Sequence, residues 1–195
     1  MVLAATDSPA VRRQAILDAA LEAIEAKGVL AATLDDIREG SGASIGSIYH
    51  HFGDKEGIAA ALYVQLLSDW QRGFVKALRN RGAEEGVRAA VDHHLRWAAR
   101  NPPAIRFLLT FTPPRSAMAQ QNRTFFDAVR TWLASHAEEI RQDLDLATGE
   151  AVWLGPASEY CRHWLAGRAP KPDRRRRELL ADIAWRSLCR THTKK

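Results

Sequence analysis

The stretch TLDDIREGSGASIGSIYHHFGDK, residues 33–55, determines how the rest of this 195-residue chain is interpreted. Thr33 followed by Asp36 predicts a helix start closed by a capping box, although Glu or Gln more often stands at the second of these positions. The segment Gly40–Gly42 supplies glycines at which a helix can end in a left-handed conformation and the chain can turn sharply. A short helix followed at once by a tight turn is therefore expected.

A second short helix is predicted over residues 45–51, with Ser44 as its N-cap. Ile48 and Phe52 stand four residues apart, so they share one face of this helix, which we expect to point inward. Two short helices joined by a glycine turn are typical of a helix-turn-helix unit. The spacing also fits a plain structural corner, so the choice between the two depends on the outer residues.

The outer face of the second helix has the properties that contact with DNA requires. A recognition helix carries short side chains near its N-terminus, where it enters the major groove, and groups on its flanks that hold phosphates. Gly46 has no side chain to keep the backbone away from DNA, and Ser47 can hydrogen-bond to a base or a phosphate. Tyr49 can place its hydroxyl group on a phosphate or its ring on a thymine methyl group.

The longer sequence SGASIGSIYHHFGDKEGI, residues 41–58, resembles the end of the DNA-binding domain in the tetracycline-repressor (TetR) family of bacterial transcription regulators. In that family small residues lead into the recognition helix, aromatic residues close it, and an Asp-Lys or similar pair opens the next helix. The resemblance covers about residues 11–66 and rests on Gly42, Gly46, Tyr49, His51, Phe52, Asp54 and Lys55. Beyond that segment, only length and helical character agree with the family.

The resemblance implies specific DNA contacts. The implied phosphate contacts come from Thr33, Ser44, Tyr49, His50 and Lys55. Lys55 is the cation on which this interpretation places most weight. The family often has Lys or Arg where Ile45 stands here, so we expect an apolar contact to thymine at that position in place of direct guanine recognition. Ile45, Gly46 and Ser47 complete the expected DNA-binding surface.

The distribution of charge complicates a DNA-binding interpretation. The whole chain carries a net charge of +5, which suits a nucleic-acid partner. Residues 1–57, however, contain five Lys and Arg against nine Asp and Glu, whereas residues 58–195 contain 23 against 14. The segment expected to bind DNA is thus the acidic part of the chain. Helix N-termini and a few local cations must supply the attraction to phosphates.

Apolar residues recur at helical spacing along the whole chain, and no strand pattern, repeat or low-complexity tract appears. We expect an all-α protein in which a three-helix, helix-turn-helix DNA-binding head, residues 1–56, precedes a larger helical body for effector binding and dimerisation, residues 57–195. Long helices are predicted over residues 55–79 and 116–145. Residues 1–9 have no periodicity and are expected to form a disordered tip or an arm that reaches a DNA groove.

Several aromatic residues lie on the middle helices of the body. Ordinary core packing is one interpretation of each of them. The resemblance adds another, since family members bind small and often apolar effectors between helices in this part of the chain. The candidate ligand-binding residues are Trp97, Phe107, Phe111, Phe125, Phe126 and Trp132.

The last two predicted helices are richer in large apolar residues than an exposed terminus requires, which indicates an interface. The resemblance implies that they pair with their counterparts in a second subunit as a four-helix bundle. The candidate interface residues are Trp153, Tyr160, Trp164, Leu179, Ile183 and Leu188. A two-fold dimer would set two recognition helices about 34–36 Å apart, one turn of DNA, or a multiple of it. A different protein partner is the alternative occupant of this surface.

Other classes of site find no support in the sequence. Adjacent histidines at 50–51 and 93–94 point about 100° apart on a helix, so neither pair can act as paired metal ligands. Cys161 and Cys189 match neither a zinc nor a redox spacing, and we expect reduced thiols. No run of eighteen apolar residues and no signal-peptide pattern is present, so we expect a cytoplasmic protein with no membrane partner. Neither a cofactor site nor an enzyme motif is expected.

We therefore expect a ligand-responsive transcription regulator. It would act as a repressor that binds a pseudo-palindromic double-stranded DNA operator as a homodimer and is released by a small-molecule effector. An all-α small-molecule carrier or enzyme with a non-functional head is the alternative, and the acidic head is the one feature that favours it. The identities of the effector, the operator and the regulated genes do not follow from the sequence.

Overall fold

The computed structural model describes residues 8–114 and 119–190, except for the side chains of residues 119–121. These residues form nine α-helices and no β-strand, which confirms the predicted all-α fold. The first seven residues, most of the predicted tip or arm, lie outside the described residues. The helices are α1 (Pro9–Lys27), α2 (Leu34–Ser41), α3 (Ile45–Phe52), α4 (Lys55–Leu78), α5 (Ala83–Arg100), α6 (Pro102–Thr110), α7 (Ala119–Ala134), α8 (Leu146–Leu165) and α9 (Arg174–Leu188).

The helices assemble into two compact units. The first unit comprises the described part of residues 1–67 and 103–119, and the second comprises the described part of residues 68–102 and 120–195. This division differs from the predicted boundary at residue 56. The first unit includes the first half of α4 and almost all of α6, which the sequence analysis placed in the body.

Buried apolar side chains from five helices form the core of the first unit. Ile16 of α1, Ile37 of α2, Ile48 of α3 and Leu62 of α4 are all buried in one cluster. Phe107 of α6 lies in the same cluster, which explains why α6 belongs to this unit. Burial of one such side chain stabilises the fold by about 1.5–3 kcal/mol. The stability of the first unit therefore depends in part on Phe107, which is far in sequence from the other helices of this core.

Helices α5, α8 and α9 pack against one another in the second unit. The indole N–H of Trp153 on α8 donates to the backbone carbonyl of Val87 on α5 at 3.2 Å. An ion pair between Arg177 and Asp92, with Nε and Oδ1 2.8 Å apart, joins α9 to α5. The contacts that hold this unit together are therefore both apolar and polar.

The prediction of a single long helix over residues 116–145 is wrong. Helix α7 ends at Ala134, residues 135–139 form turns, and Ile140 pairs with Cys189 in an isolated β-bridge. The backbone N–H of Arg141 also donates to the carbonyl of Leu188 at 2.9 Å. These bonds tie the segment after α7 to the end of α9, and Ile140 is buried there. Helical periodicity alone does not reveal such a long-range contact.

Gly57 in α4 is the position at which we expect the packing of the first unit to be most sensitive. A Cβ atom added there would stand 2.0 Å from the backbone carbonyl oxygen of Phe52, so the end of α3 would have to move. We expect Gly57→Ala to lower the free energy of unfolding by about 1–3 kcal/mol, as overpacking does. Urea unfolding measures this change.

Gly46→Ala is the matched control for that substitution. No heavy atom lies within 4 Å of a Cβ atom added at Gly46, and alanine is the better helix former. We therefore expect this variant to be as stable as the wild-type protein, or more stable by up to about 1 kcal/mol. Equal stability of the Gly57→Ala variant and the wild-type protein would contradict the described contact between α3 and α4.

Candidate nucleic-acid interface

The turn between α2 and α3 has a defined conformation. Gly42 adopts a left-handed backbone with φ 66° and ψ 8°, and its N–H donates to the carbonyl of Arg38 at 3.0 Å. The hydroxyl group of Ser41 donates to the carbonyl of Ile37 at 2.6 Å and accepts from the N–H of Ala43 at 3.2 Å. Because a side chain at Gly42 would strain this backbone, glycine fixes the direction in which the chain enters α3.

Helix α3 begins and packs as the sequence predicts. The Ser44 hydroxyl oxygen accepts a hydrogen bond from the backbone N–H of Ser47 at 3.2 Å, which confirms Ser44 as the N-cap. Ile48 is buried in the core and Phe52 is partly buried against it. These two side chains hold one face of α3 against the rest of the first unit, so the opposite face points outward.

The side of α3 that is at least partly exposed, which we call the α3 surface, consists of Ile45, Gly46, Ser47, Tyr49 and His50. At about 100° per residue, Gly46 and His50 lie about 160–200° around the helix from Ile48. Both are exposed, and Tyr49 is 52% exposed. No heavy atom lies within 4 Å of a Cβ atom built at Gly46. An eight-residue helix with this open face has the width and the access that contact with the major groove requires.

The N-terminus of α3 provides local attraction for phosphate. The first N–H groups of a helix have no partner within it, and those of Ile45 and Gly46 stand at the start of α3. Aligned peptide dipoles give this end a partial positive charge. Backbone groups therefore supply part of the attraction to anions that the acidic side chains of residues 1–57 do not.

The N-terminus of α2 is closed by the predicted capping box. The Thr33 hydroxyl accepts from the N–H of Asp36 at 3.2 Å, and the Asp36 carboxylate accepts from the N–H of Thr33 at 2.9 Å. Lys27 donates to the same carboxylate at 2.7 Å. These bonds lower the pKa of Asp36 to about 2, and the hydrogen bond from Lys27 contributes most, ahead of the bonds to Thr33. Lys27 and Asp36 thus stabilise the scaffold under α3 and neutralise each other.

Lys55 makes a contact that the sequence analysis did not anticipate. Its ammonium group donates to the backbone carbonyl of Leu30 at 2.8 Å and is half-buried. The bond ties the first residue of α4 to the loop after α1. The predicted phosphate contact of Lys55 stays a prediction, and in the structure this side chain has a role within the first unit.

Arg13 is a cation near α3 to which the sequence analysis assigned no DNA role. Its guanidinium carbon lies 5.1 Å from the centre of the Phe52 ring, in a cation–π contact. The side chain is exposed at the C-terminal end of α3. Nothing in the sequence links positions 13 and 52, because only the packing of α1 against α3 brings them together.

The candidate ligand-binding residues do not form one group. Phe107 and Phe111 belong to the first unit, where their rings stack with centroids 5.0 Å apart and pack against Tyr63. They lie apart from the other four candidates, and their role in ligand binding stays a prediction. Phe107 fills the core of the first unit, and long-range packing of this kind leaves no signal in helical spacing.

The other four candidate ligand-binding residues lie in the second unit. The indole N–H of Trp97 donates to the Asp69 carboxylate at 2.8 Å. Phe125 and Phe126 are half-buried with their ring centroids 5.3 Å apart, and Trp132 packs 6.0 Å from Trp153. Their role in ligand binding stays a prediction.

The candidate interface residues also divide. Trp153 and Leu188 are buried within the chain, so they cannot supply contact area to a second subunit and are withdrawn from the interface. Leu179 is 58% exposed and Ile183 is 40% exposed, both on α9. Tyr160 and Trp164 on α8 are half-buried, and the Tyr160 hydroxyl donates to the carbonyl of Pro170 at 2.8 Å. Four of the six candidates therefore have accessible surface.

Two further observations concern the described ranges as a whole. Within them, His, Cys, Asp and Glu side chains do not gather in groups of three or more that could hold a metal ion. None of the helices in these ranges combines the length and the apolar character needed to cross a bilayer.

Comparison with known proteins agrees with the geometry of the first unit. Residues 16–62, from α1 into α4, match the family model "Bacterial regulatory proteins, tetR family". The chain is 28% identical over 148 residues to the HTH-type transcriptional repressor AcnR of Corynebacterium efficiens, which covers 75% of this chain and 77% of that protein.

Solved structures share the fold. A TetR family transcription regulator from Marinobacter aquaeolei has a TM-score of 0.78 at 20% identity, over 92% of this chain and 96% of that one. The transcriptional regulator FadR from Bacillus subtilis, solved in complex with stearoyl-CoA, has a TM-score of 0.70 at 18% identity, over 89% of this chain and 95% of that one. These identities establish a common architecture and do not identify a ligand for this chain.

The low pKa of Asp36 predicts how stability depends on pH. The carboxylate titrates at a lower pH in the folded protein than in the unfolded chain, where its value is 3.8. Its contribution to stability is therefore complete above about pH 5 and is lost as pH falls through 3.8 toward 2. We expect the stability difference between wild type and Asp36→Asn to shrink over that interval in urea unfolding.

Lys27→Met provides the companion measurement, because Lys27 makes the largest contribution to the shift. This variant should raise the pKa of Asp36 toward 3.8 and so weaken the pH dependence without abolishing it. A difference between wild type and Asp36→Asn that stays constant from pH 5 to pH 2 would show that the carboxylate does not cap α2.

Proposed function

Since this chain belongs to the TetR family of bacterial transcription regulators, we propose that it represses transcription by binding a pseudo-palindromic operator as a homodimer. A small-molecule effector bound by the second unit releases the DNA. One observation carries the proposal: α3 is capped at Ser44, is held by buried Ile48, and presents exposed Gly46 and His50 on its opposite side. A helix arranged in this way can enter the major groove.

The proposed DNA contacts follow from the position of each residue on α3. Gly46 lets the backbone approach the bases closely, and Ser47 and Tyr49 flank it with hydroxyl groups that reach bases or phosphates. Ile45 offers an apolar contact to a thymine methyl group, and His50 lies on the outermost line of the helix. Each good base contact contributes about 1–3 kcal/mol of discrimination, whereas phosphate contacts fix the position of the protein.

Phosphate contacts on the flanks complete the proposed interface. The hydroxyl groups of Thr33 and Ser44 accept hydrogen bonds from their own helices, and each still carries a proton that it can donate to a phosphate oxygen. Lys55 has three N–H donors, one of which serves the Leu30 carbonyl, so two stay available for a phosphate. Arg13 adds a cation at the other end of α3.

We place the dimer interface on the accessible apolar side chains of α8 and α9. Leu179 and Ile183 are the most exposed of the candidates, and Tyr160 and Trp164 add partly exposed aromatic surface. Exposed apolar groups of this size favour a partner surface. TetR-family regulators usually bind their operators as dimers, and a two-fold dimer matches the symmetry of a pseudo-palindrome.

Release by an effector requires only a difference in affinity between two conformations. Helix α4 has residues in both units, so a ligand that changes the position of its second half also acts on its first half. The ligand must prefer the conformation whose α3 helices do not fit the operator, because a ligand without such a preference shifts no equilibrium. The same coupling makes operator DNA weaken effector binding.

Selection from a random DNA pool tests the proposed DNA contacts. DNA recovered by the wild-type protein should contain two related half-sites, and Tyr49→Ala should bind it about tenfold or more weakly by fluorescence anisotropy. Leu146→Ala is the control, because Leu146 is 52% exposed in the second unit, as Tyr49 is in the first, and we expect unchanged affinity. Because Tyr49 is exposed, thermal stability should also be unchanged. Full affinity of the Tyr49→Ala variant would remove this residue from the interface.

Lys55→Met separates the two possible roles of this lysine. If the ammonium contacts a phosphate, the slope of log affinity against log salt should become shallower by about 0.9. We expect this change together with a loss of stability, since the bond to Leu30 is also lost. A less stable variant with the wild-type salt slope would restrict Lys55 to its structural role.

Charge introduced on α9 tests the dimer. Leu179→Glu with Ile183→Glu should convert the dimer to a monomer in light scattering and weaken operator binding, because two unpaired carboxylates would be buried between the subunits. Leu146→Glu is the matched control, since this leucine is 52% exposed in the second unit and is not one of the interface candidates. A stable dimer with both substitutions on α9 would place the interface elsewhere.

A further inference from the structure

A groove lined with arginine side chains lies between α5 and α9 of the second unit, and we call it the α5–α9 groove. Its volume is about 520 Å³, which lies within the range of small-molecule sites in proteins. Ala89 and Ala181 supply apolar surface, to which the methylene stems of the arginines add. The guanidinium groups that line the groove belong to Arg81, Arg88, Arg96, Arg174 and Arg177.

Two ion pairs between the helices show how the groove is arranged. Arg88 of α5 pairs with Asp182 of α9, and Asp92 of α5 pairs with Arg177 of α9. Because the position on α9 falls as the position on α5 rises, the two helices run antiparallel along the groove. The C-terminal end of α5 therefore lies beside the N-terminal end of α9. That end of the groove carries three of the arginines, Arg96, Arg174 and Arg177.

Positive charge is in excess at that end, which we call the positive end. Two guanidinium groups share the carboxylate of Asp92, since the Nε atoms of Arg96 and Arg177 lie 2.7 Å and 2.8 Å from its two oxygens. The third arginine, Arg174, pairs with Glu178, and its Nε atom lies 2.7 Å from the carboxylate. Three arginines thus face two carboxylates, and one further negative charge would balance them.

The opposite end of the groove has no such excess. Arg81 pairs with Glu85, and Arg88 pairs with both Glu84 and Asp182. Two arginines there meet three carboxylates, so a further anion would be repelled. An anionic ligand is therefore expected at the positive end only.

Arg177 is held in place without any ligand. Its side chain is 18% exposed, and its Nε and Nη1 groups donate to the Asp92 carboxylate and the Pro172 carbonyl at 2.8 Å and 3.1 Å. A guanidinium has five N–H groups, so these two bonds leave three for a ligand. A fixed guanidinium loses little conformational freedom on binding, and its planar shape matches a carboxylate or a phosphate.

We propose that the positive end of the α5–α9 groove binds the carboxylate or phosphate group of a small anionic molecule. Arg96 and Arg177, which meet at Asp92, donate to this group, and Arg174 supplies the third positive charge. The rest of the ligand lies along the apolar surface of Ala89 and Ala181.

The groove stays accessible in the proposed dimer. At about 100° per residue, Arg177 lies about 160° around α9 from Leu179, and Arg174 lies about 180° from Ile183. The side of α9 that we assign to a second subunit is therefore opposite the groove. Anion binding here requires neither DNA nor a second subunit, so it does not depend on the proposed function.

Three probes with the same benzyl group test the chemical class of the ligand. They are benzyl phosphate, the carboxylate phenylacetate and uncharged benzyl alcohol, each titrated into the full-length protein by calorimetry at a fixed ionic strength of about 0.15 M. We expect at least one anion to bind about tenfold or more tightly than the alcohol, the difference that one charge-assisted hydrogen bond makes. Tighter binding of benzyl phosphate would assign the site to phosphate monoesters, and tighter binding of phenylacetate would assign it to carboxylates. If neither anion binds more tightly than the alcohol, the proposal is overturned.

Two double variants test the position of the site. Arg96→Gln with Arg174→Gln removes two cations from the positive end, and it should weaken binding of the tighter anion about tenfold or more. Arg72→Gln with Arg130→Gln is the matched control, since these arginines also lie in the second unit and also pair with carboxylates, but do not line the groove. The control removes the same charge from the protein, and we expect it to keep the wild-type affinity.

The four substituted side chains are all exposed, so folding should be preserved in both double variants. Their relative exposure is 51% for Arg96, 86% for Arg174, 71% for Arg72 and 66% for Arg130. Exposed ion pairs contribute little to stability, and melting temperatures should stay near that of the wild-type protein. Equal weakening in both double variants would show that the anion responds only to net charge. Unchanged affinity in the Arg96 and Arg174 variant would place the anion outside the groove, and either result would overturn the proposal.

Discussion

Burial of Ile48 is the constraint on which the candidate DNA-binding surface depends. The side chains of a helix have fixed angles around its axis. Placing Ile48 in the core of the first unit therefore turns Gly46 and His50 to the outside. The other side chains of the core that contains Ile48 come from four other helices, including α6, which contributes Phe107. Integrity of the whole first unit is therefore needed to present a face formed by five residues of one short helix.

The charges of the first unit mainly stabilise its own helices. Lys27 is paired with Asp36, Lys55 is bonded to the Leu30 carbonyl, and Arg38 lies 3.3 Å from the Asp35 carboxylate. Attraction to DNA must therefore depend strongly on the N-terminus of α3 and on shape. An acidic surface around such a helix disfavours non-specific contacts with DNA, since these depend almost entirely on net positive charge.

Local features of the structure could be predicted from the sequence, and long-range contacts could not. The capping box at Thr33, the cap at Ser44 and the inward side of Ile48 depend on residues within four positions of one another. The bond from Lys55 to Leu30 and the insertion of Phe107 into the first unit join positions 25 or more residues apart. Trp153 was assigned to an interface because large apolar residues look alike in a sequence whether they face the core or a partner. Helical periodicity gives the direction of a side chain relative to its own helix only.

The proposed function requires the outer face of α3, and no other surface, to enter the DNA groove. An iron chelate attached to His50→Cys tests it most directly, in a Cys189→Ser background because Cys161 is buried. On DNA selected by the protein, we expect strand cleavage within each of two half-sites, about one helical turn or a multiple apart. The same chelate on Arg168→Cys, in the second unit, should not cleave there. Cleavage from position 168 but not from position 50 would show that α3 does not enter the groove.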